Sequence, residues 1–403
     1  MSDEPGQVTI ESGGAKAYQP TVLQVLPRLV SGGVERGTAD IAAAVAAAGG
    51  RSLVASAGGP MVRLIDRAGA RHITLPLDSK NPFVMRANVH RLARLISDHG
   101  VDIVHARSRA PAWSAEAAAR LEGAHFVTTV HGTYSTNSVL KRLYNKVMTR
   151  GERVIAISNF IASQIQETYH VAPEKIRVIH RGVDLAEFDP LRVTDERMIH
   201  LAGVWRLPDD MKIILLPGRL SRWKGQRVLI EALERLERRD VSCLLLGANR
   251  GQGGYQRSIE AQIKRARLQD VVRILDHCPD MAAAYKLSDV VVSASTRPEA
   301  FGRVVAEAQA MGRPVVATDH GGTLETVIRD ETGWLVPPGD PDALAKALEE
   351  ALSLDGMARE RLAQRAMAHI RQHFTNDEMC RKTLAVYAEV MNSGDAGKGT
   401  AAP

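Results

Sequence analysis

The sequence predicts an α/β protein built from two doubly wound parallel-sheet domains that face each other across a cleft. Three observations carry this expectation. Short Val/Ile-rich runs alternate almost throughout with helix-length stretches, the pattern of parallel strands covered on both faces. The alternation comes in two series separated by a proline-bearing connection. The 403 residues, 45% hydrophobic and 24% charged, supply enough material for two ordinary domains.

In the first series, strands are expected at residues 21–26, 51–57, 102–105, 125–130, 153–157 and 176–179. Helices at 33–48, 82–99 and 110–121 fall between them, with apolar residues recurring at helical spacing. Residues 190–208 carry two prolines and mixed charge, which suits an interdomain connection. The second series places strands at 212–217, 241–246, 272–275, 289–293 and 314–318, with 334–336 as an edge. A break at Phe374-Thr375 precedes a last helical pattern over 377–391. The expected units are therefore a disordered start (1–19), domains over 20–195 and 196–374, a helix over 375–392 packing back on the first domain, and a disordered tail (393–403).

Composition excludes a disordered chain, a collagen-like fibre and a disulfide-stapled mini-protein. Cys243, Cys278 and Cys380 lie far apart, with neither zinc spacing nor a disulfide framework, so a reducing, cytoplasmic setting is expected. The first twenty residues do not read as a signal peptide, and no run of about 18 apolar residues exists to span a membrane. Residues 51–150 hold 15 Lys and Arg against 6 Asp and Glu, a net of +9, while the rest of the chain carries −3. That one-sided excess points to an anionic partner. Nucleic acid is disfavoured by the lack of any recognisable motif or interleaved aromatics. Two basic stretches, 82–99 and 140–154, read as amphipathic and suit an anionic membrane surface.

Doubly wound domains bind ligands beyond the carboxyl ends of their strands, so chemistry is sought in the turns that follow them. The strongest signal is Arg297-Pro-Glu-Ala-Phe-Gly-Arg-Val-Val-Ala-Glu307. Phe301-Gly302 opens a helix whose first-turn amides suit a phosphate. Glu307 lies on a helix apolar nearly all round, where a carboxylate is costly unless it accepts hydrogen bonds. A ribose diol supplies two such donors; a nearby Arg or backbone amide is the plainer alternative. The second signal is Pro217-Gly-Arg-Leu-Ser-Arg-Trp-Lys-Gly225, where Arg219 and Lys224 can converge on a diphosphate. Arg222 and Arg227 have weaker claims. Weaker signals are the Gly32-Gly33 turn in Ser31-Gly-Gly-Val-Glu-Arg36, which is not the dinucleotide fingerprint, and His131 at the tip of a strand. His105 competes with His131. Asp340-Pro-Asp342 reads as turn plus N-cap rather than a metal site, and no His/Cys/Glu cluster has ligand spacing.

Taken together, these residues resemble family 4 of the retaining glycosyltransferases over roughly residues 20–392. The key motif is Glu299 and Glu307 around a central Phe301-Gly302. It is supported by Gly218-Arg219…Lys224-Gly225, Gly32-Gly33, His131-Gly132 and Gly321-Gly322…Glu325. The resemblance implies the two-domain GT-B fold, with the N-terminal domain on the acceptor side and a nucleotide-diphosphate sugar docked mainly on the C-terminal domain. Glu307 would hold the ribose, and Arg219 with Lys224 the diphosphate. Glu299, with the Phe301-Gly302 backbone, would contact sugar hydroxyls; Gly32, Gly33, Gly218, Ala300, Arg303 and Val304 would also meet the donor, and His131 would contribute from the N-terminal domain. Catalytic roles would fall to His131, Glu299, Arg219 and Lys224, with anomeric configuration kept and neither metal nor cofactor needed.

The chain departs from the family at Arg181-Gly-Val-Asp184, where Asn-Gly-Val-Asp is usual. The stretch from Gly247 to Tyr255 looks like members that build lipopolysaccharide cores and surface polysaccharides. The expected enzyme is thus a hexosyltransferase using GDP-mannose or a UDP-hexose at the inner membrane face, on a lipid-linked or envelope glycan. A sugar-nucleotide epimerase and a catalytically silent nucleotide-sugar-binding protein are the alternatives.

Overall fold

The computed structural model describes residues 19–398 apart from 31, 135, 209, 237 and 249–252. Most of the expected disordered start, residues 399–403 of the tail, Ser31 and four residues of the Gly247–Tyr255 stretch therefore lie outside the described residues.

Thirteen strands form two all-parallel sheets among the described residues. The first contains β1 (Thr21–Val25), β2 (Arg51–Ser56), β3 (Arg71–Thr74), β4 (Ile103–Ala106), β5 (His125–Val130), β6 (Arg153–Ala156) and β7 (Ile176–Val178), in the order β3-β2-β1-β4-β5-β6-β7. The second contains β8 (Lys212–Pro217), β9 (Val241–Ala248), β10 (Val272–Asp276), β11 (Val290–Ser293), β12 (Val315–Thr318) and β13 (Trp334–Val336), in the order β10-β9-β8-β11-β12-β13. Strand order reverses between β1 and β4 in one sheet and between β8 and β11 in the other. In open α/β sheets such switch points are where ligands bind. The turns after β1, β8 and β11 carry the Gly32-Gly33, Gly218–Gly225 and Arg297–Glu307 motifs, while His131-Gly132 and Gly321-Gly322 follow the adjacent strands β5 and β12.

The strands form where continuous apolar runs allow burial on both faces; Val22, Leu23 and Val25 of β1 and Ile214 and Leu215 of β8 are fully buried. Strand β3 escapes the sequence reading because only Ile73 of Arg-His-Ile-Thr is apolar, which suffices for a half-exposed edge. The expected connection over 190–208 is largely helix. Asp195–Trp205 is capped by Thr194 and tied to the second domain through Arg197, whose Nε and Nη2 reach Asp280 at 2.9 and 2.7 Å.

After the helix Gly356–His373, the chain returns to the first domain at Phe374, whose carbonyl accepts from Val183 N at 2.8 Å. The last helix, Asn376–Lys398, packs Met379, Val386, Tyr387 and Val390 against Val22, Ile41, Val45 and Ile103. It runs past residue 392, where the tail was expected to begin. Ser393 donates its hydroxyl back to Glu389 O at 2.8 Å, inside the helix, instead of ending it.

The first amphipathic stretch is the helix its spacing predicts, the second is not. Helix Pro82–His99 buries its Leu92, Leu95 and Ile96 stripe in its own domain, so that stripe faces no membrane. The stretch 140–154 is not one helix. A short helix, Val139–Asn145, passes into a 3-10 turn, Lys146–Thr149, because Asn145, Val147 and Met148 are drawn into the core. Some apolar side chains remain outside: Phe83, Val139 and Leu140 are 84, 81 and 78% exposed.

Candidate active site

On the C-terminal domain, two turns flank the β8/β11 switch point. The turn after β8 carries Gly218, Arg219 and a single 3-10 turn, Arg222–Lys224. Lys224 Nζ lies 2.6 Å from Glu299 Oε1, and Ser295 donates its hydroxyl to the same oxygen at 2.6 Å. Arg219 is exposed, and its guanidinium has no partner among the described residues. The two expected phosphate ligands are thus in one turn, one engaged with the expected sugar contact and one open. Arg227 points elsewhere, to Gln262 Oε1 at 3.2 Å.

The turn after β11 leads into helix Arg303–Ala310. Gly302 is its N-cap at φ 86°, a left-handed backbone where a side chain would also stand 2.9 Å from Thr323 Cγ2. No side chain caps this end, and Val305 and Ala306 both close onto Gly302 O. The amides of Arg303 and Val304 are left at the open, electropositive end. The Val304 side chain packs on the core, so only its backbone is available. Phe301 is buried, and the Ala300 carbonyl accepts from Ser158 Oγ at 2.6 Å across the domain boundary.

Glu307 is 6% exposed and paired on both oxygens. Arg303 Nε lies 2.8 Å from Oε1, and Tyr285 donates its hydroxyl to Oε2 at 2.8 Å. The sequence had left this open between a ribose and a nearby Arg; the described residues contain the Arg, and each carboxylate oxygen keeps a further lone pair. Burial pushes the Glu307 carboxyl up, while Arg303 and Tyr285 pull it back down.

On the N-terminal domain, Gly32 and Gly33 follow β1 and start helix Gly33–Ala47. Two guanidiniums from different domains meet there. A Cβ on Gly33 would stand 3.0 Å from Arg181 Nη1 and 3.1 Å from Arg303 Nη1. Arg181 donates to Gly33 O from Nη1 and to His131 Nδ1 from Nη2, the latter at 2.9 Å. His105 is structural. It is fully buried, with Nδ1 2.6 Å from Tyr387 Oη and Nε2 2.7 Å from Thr129 Oγ1. Between the domains lies a cavity of about 340 Å3 bounded by Gly33, Arg36, Asp40, Arg181, Arg303 and Glu307, among others.

A clasp holds the domains beside this cavity. Glu325, from the second domain, accepts from the backbone of Asn159 and Phe160 at 2.8 and 2.9 Å and from Asn159 Nδ2 at 2.8 Å. It also meets His180 Nε2 at 2.7 Å. These donors hold its carboxyl below the usual range against the opposing effect of burial. Asp340 is the N-cap of helix Pro341–Leu352, accepting from Asp342 N and Ala343 N at 3.0 Å, as its turn motif predicts.

Residues 201–369 match the family described as Glycosyl transferases group 1, and residues 31–187 match Glycosyltransferase Family 4. A curated D-inositol 3-phosphate glycosyltransferase of Xylanimonas cellulosilytica is 33% identical over 330 residues, covering 76% of this chain and 75% of its own. The chain belongs to family 4 of the glycosyltransferases. The crystal structure of a glycosyltransferase from Rickettsia africae has a TM-score of 0.86 at 38% identity, covering 93% of this chain and 99% of that one. HepE of Anabaena, in complex with UDP and glucose, shares the fold at a TM-score of 0.80 and 24% identity, with 91% and 99% covered.

The glycosyltransferase holds three groups at its cleft that sequence reasoning did not assign. Arg181 stands where the family pattern has asparagine, and its guanidinium contacts both His131 and the glycine turn. Tyr285 reaches Glu307 from another helix, Met281–Leu287, and no local motif marks it. Arg107 is 5% exposed, directly follows β4 and donates to Gln24 Oε1 at 3.0 Å; a lone arginine after an apolar strand is the one available signal.

Proposed function

We propose that this glycosyltransferase moves a hexose, with retention, from a UDP-hexose or GDP-mannose to a lipid-linked or cell-envelope glycan. The observation that carries the donor half is Glu307, a buried carboxylate at the mouth of the cleft with lone pairs to spare. It would accept from the ribose hydroxyls. Arg219 and Lys224 would take the diphosphate with the amides of Arg303 and Val304, and with Gly33 and Gly218 close by. Glu299, released by Lys224, would accept from sugar hydroxyls, and His131 would reach the sugar from the other domain. As the bond from C1 to the diphosphate breaks, negative charge gathers on the leaving group and positive charge on the sugar. Fixed cations and a helix end around the leaving group offset the first without a metal ion or cofactor.

The acceptor half rests on exposed apolar and basic side chains of the N-terminal domain. Exposed Phe83, Val139 and Leu140 lie close in sequence to Lys80, Arg86, Lys141, Arg142 and Lys146. Apolar side chains among cations suit the surface of an anionic bilayer, each charge contributing about 1 kcal/mol near the lipid. The enzyme would dock there from the cytoplasmic side, with the second domain free to close on donor. No helix among the described residues is long and apolar enough to cross a membrane.

Vesicle flotation tests the docking. Binding should require anionic lipid, fall with salt, and weaken when Lys141, Arg142 and Lys146 become Glu. Indifference of the wild type to anionic vesicles at low salt would remove the membrane from the account.

A further inference from the structure

Arg181 takes no part in the function proposed above, yet its position constrains a residue that does. Its Nη2 lies 2.9 Å from His131 Nδ1, and its Nη1 donates to the Gly33 carbonyl. A guanidinium has five donors and no acceptor, so Nδ1 of His131 must be the acceptor in this contact. The single proton of a neutral imidazole then sits on Nε2. That nitrogen is buried and has no hydrogen-bond partner in the described structure. A buried N–H without a partner is rare and calls for an explanation.

We propose that Arg181 is a positioning residue: it holds His131 as the neutral imidazole with hydrogen on Nε2, and presents that N–H as a donor to a hydroxyl of the transferred sugar. This rests on the reading of His131 as a sugar contact. The surroundings agree with a neutral ring. Burial disfavours a second proton most, followed by the cations Arg181 and Arg107 and then by His105. His105 has both nitrogens engaged and cannot substitute. Neutrality matters because the sugar gains positive charge as its bond to the diphosphate breaks. An imidazolium would oppose that charge, whereas a neutral N–H orients the hydroxyl without doing so. The residue type matters too. An asparagine amide, usual at this position in the family the sequence resembles, can donate or accept and would leave the tautomer open.

The test is nitrogen NMR of the full-length protein labelled with 15N-histidine, with His131 assigned by loss of its signals in His131→Gln. At about pH 7 and at about pH 5.5 the wild type should show a protonated Nε2 and a bare Nδ1. In Arg181→Met the pattern should move to a tautomer mixture or to imidazolium, with kcat/KM about tenfold lower at neutral pH and lower still in acid. A wild-type His131 protonated on Nδ1, or charged at neutral pH, would overturn the proposal even if Arg181→Met failed to fold. So would an Arg181→Met protein with unchanged His131 signals. If the signals change as stated while His131→Ala turns over at the wild-type rate, the control of the tautomer stands and the sugar contact assigned to His131 falls.

Discussion

Lys224 and Glu299 hold each other between the turns after β8 and β11, Nζ of the one 2.6 Å from Oε1 of the other. Both side chains are largely buried, and Ser295 shares the same carboxylate oxygen. For Lys224 to meet a diphosphate it must exchange this partner, and the exchange frees Glu299 for sugar hydroxyls. On the proposed reading donor binding would replace one ion pair with two contacts, and the two residues should respond to donor together.

Arg219 and Lys224 leave the same turn, one open and one held. If both serve one diphosphate, each single substitution to Met should lower kcat/KM by about 10- to 100-fold, as loss of a charge-assisted contact does. The double variant should lose much less than the product, since groups acting on one charge are not independent. A double-mutant cycle on turnover checks this; strictly additive losses would mean separate targets.

Much of this was legible before any coordinates. Twelve of the strands announce themselves as apolar runs between turns, and three of the motif turns fall at the switch points, after β1, β8 and β11, because strand order puts them there. What the sequence hid is what depends on approach from elsewhere in the chain. Tyr285 is an aromatic in an alanine-rich helix, and only the packing of that helix beside Arg303–Ala310 brings its hydroxyl to Glu307. Arg181 lies 148 residues from Gly33 and 50 from His131, so no local spacing could pair them. The basic stretch over 140–154 misled for the opposite reason. Its periodicity continues through residues that the core pulls into a 3-10 turn, and burial overrode the pattern.

The Glu325 clasp gives stability a definite pH dependence. Its folded carboxyl titrates below the unfolded value, so its contribution is fully present above about pH 4.5 and is lost as pH falls through the lower, folded value. Glu325→Gln should destabilise the protein by about 1 kcal/mol near neutrality, because the part-buried Phe160 and His180 donors lose a charged acceptor. The gap in Tm between wild type and variant should close in acid. An equal gap at all pH values would show that the charge is irrelevant to the clasp.

Asp40 has the opposite sign. Burial pushes its carboxyl up to about 6, with Arg36 pulling down and Asp184 pushing up. Between about pH 4 and 6 the folded protein holds a proton that the unfolded chain releases, so stability from this group declines as pH rises. Asp40→Asn should raise Tm in mildly alkaline buffer and have little effect below about pH 4. A larger gain in acid would contradict the assignment.

Turnover should survive chelation if, as proposed, Arg219, Lys224 and the open end of helix Arg303–Ala310 supply the positive charge. Loss of activity in EDTA, restored by magnesium or manganese, would show that a metal ion is needed.

The central claim is that a nucleotide-diphosphate sugar binds with its ribose on Glu307. Calorimetric titration of wild type and Glu307→Ala with UDP-glucose, UDP-galactose and GDP-mannose tests it most directly. The account predicts saturable binding of at least one donor to the wild type, weakened about tenfold or more in a folded Glu307→Ala protein through lost ribose hydrogen bonds. Equal affinity in the two proteins, or a wild type that binds none of these donors, would contradict it.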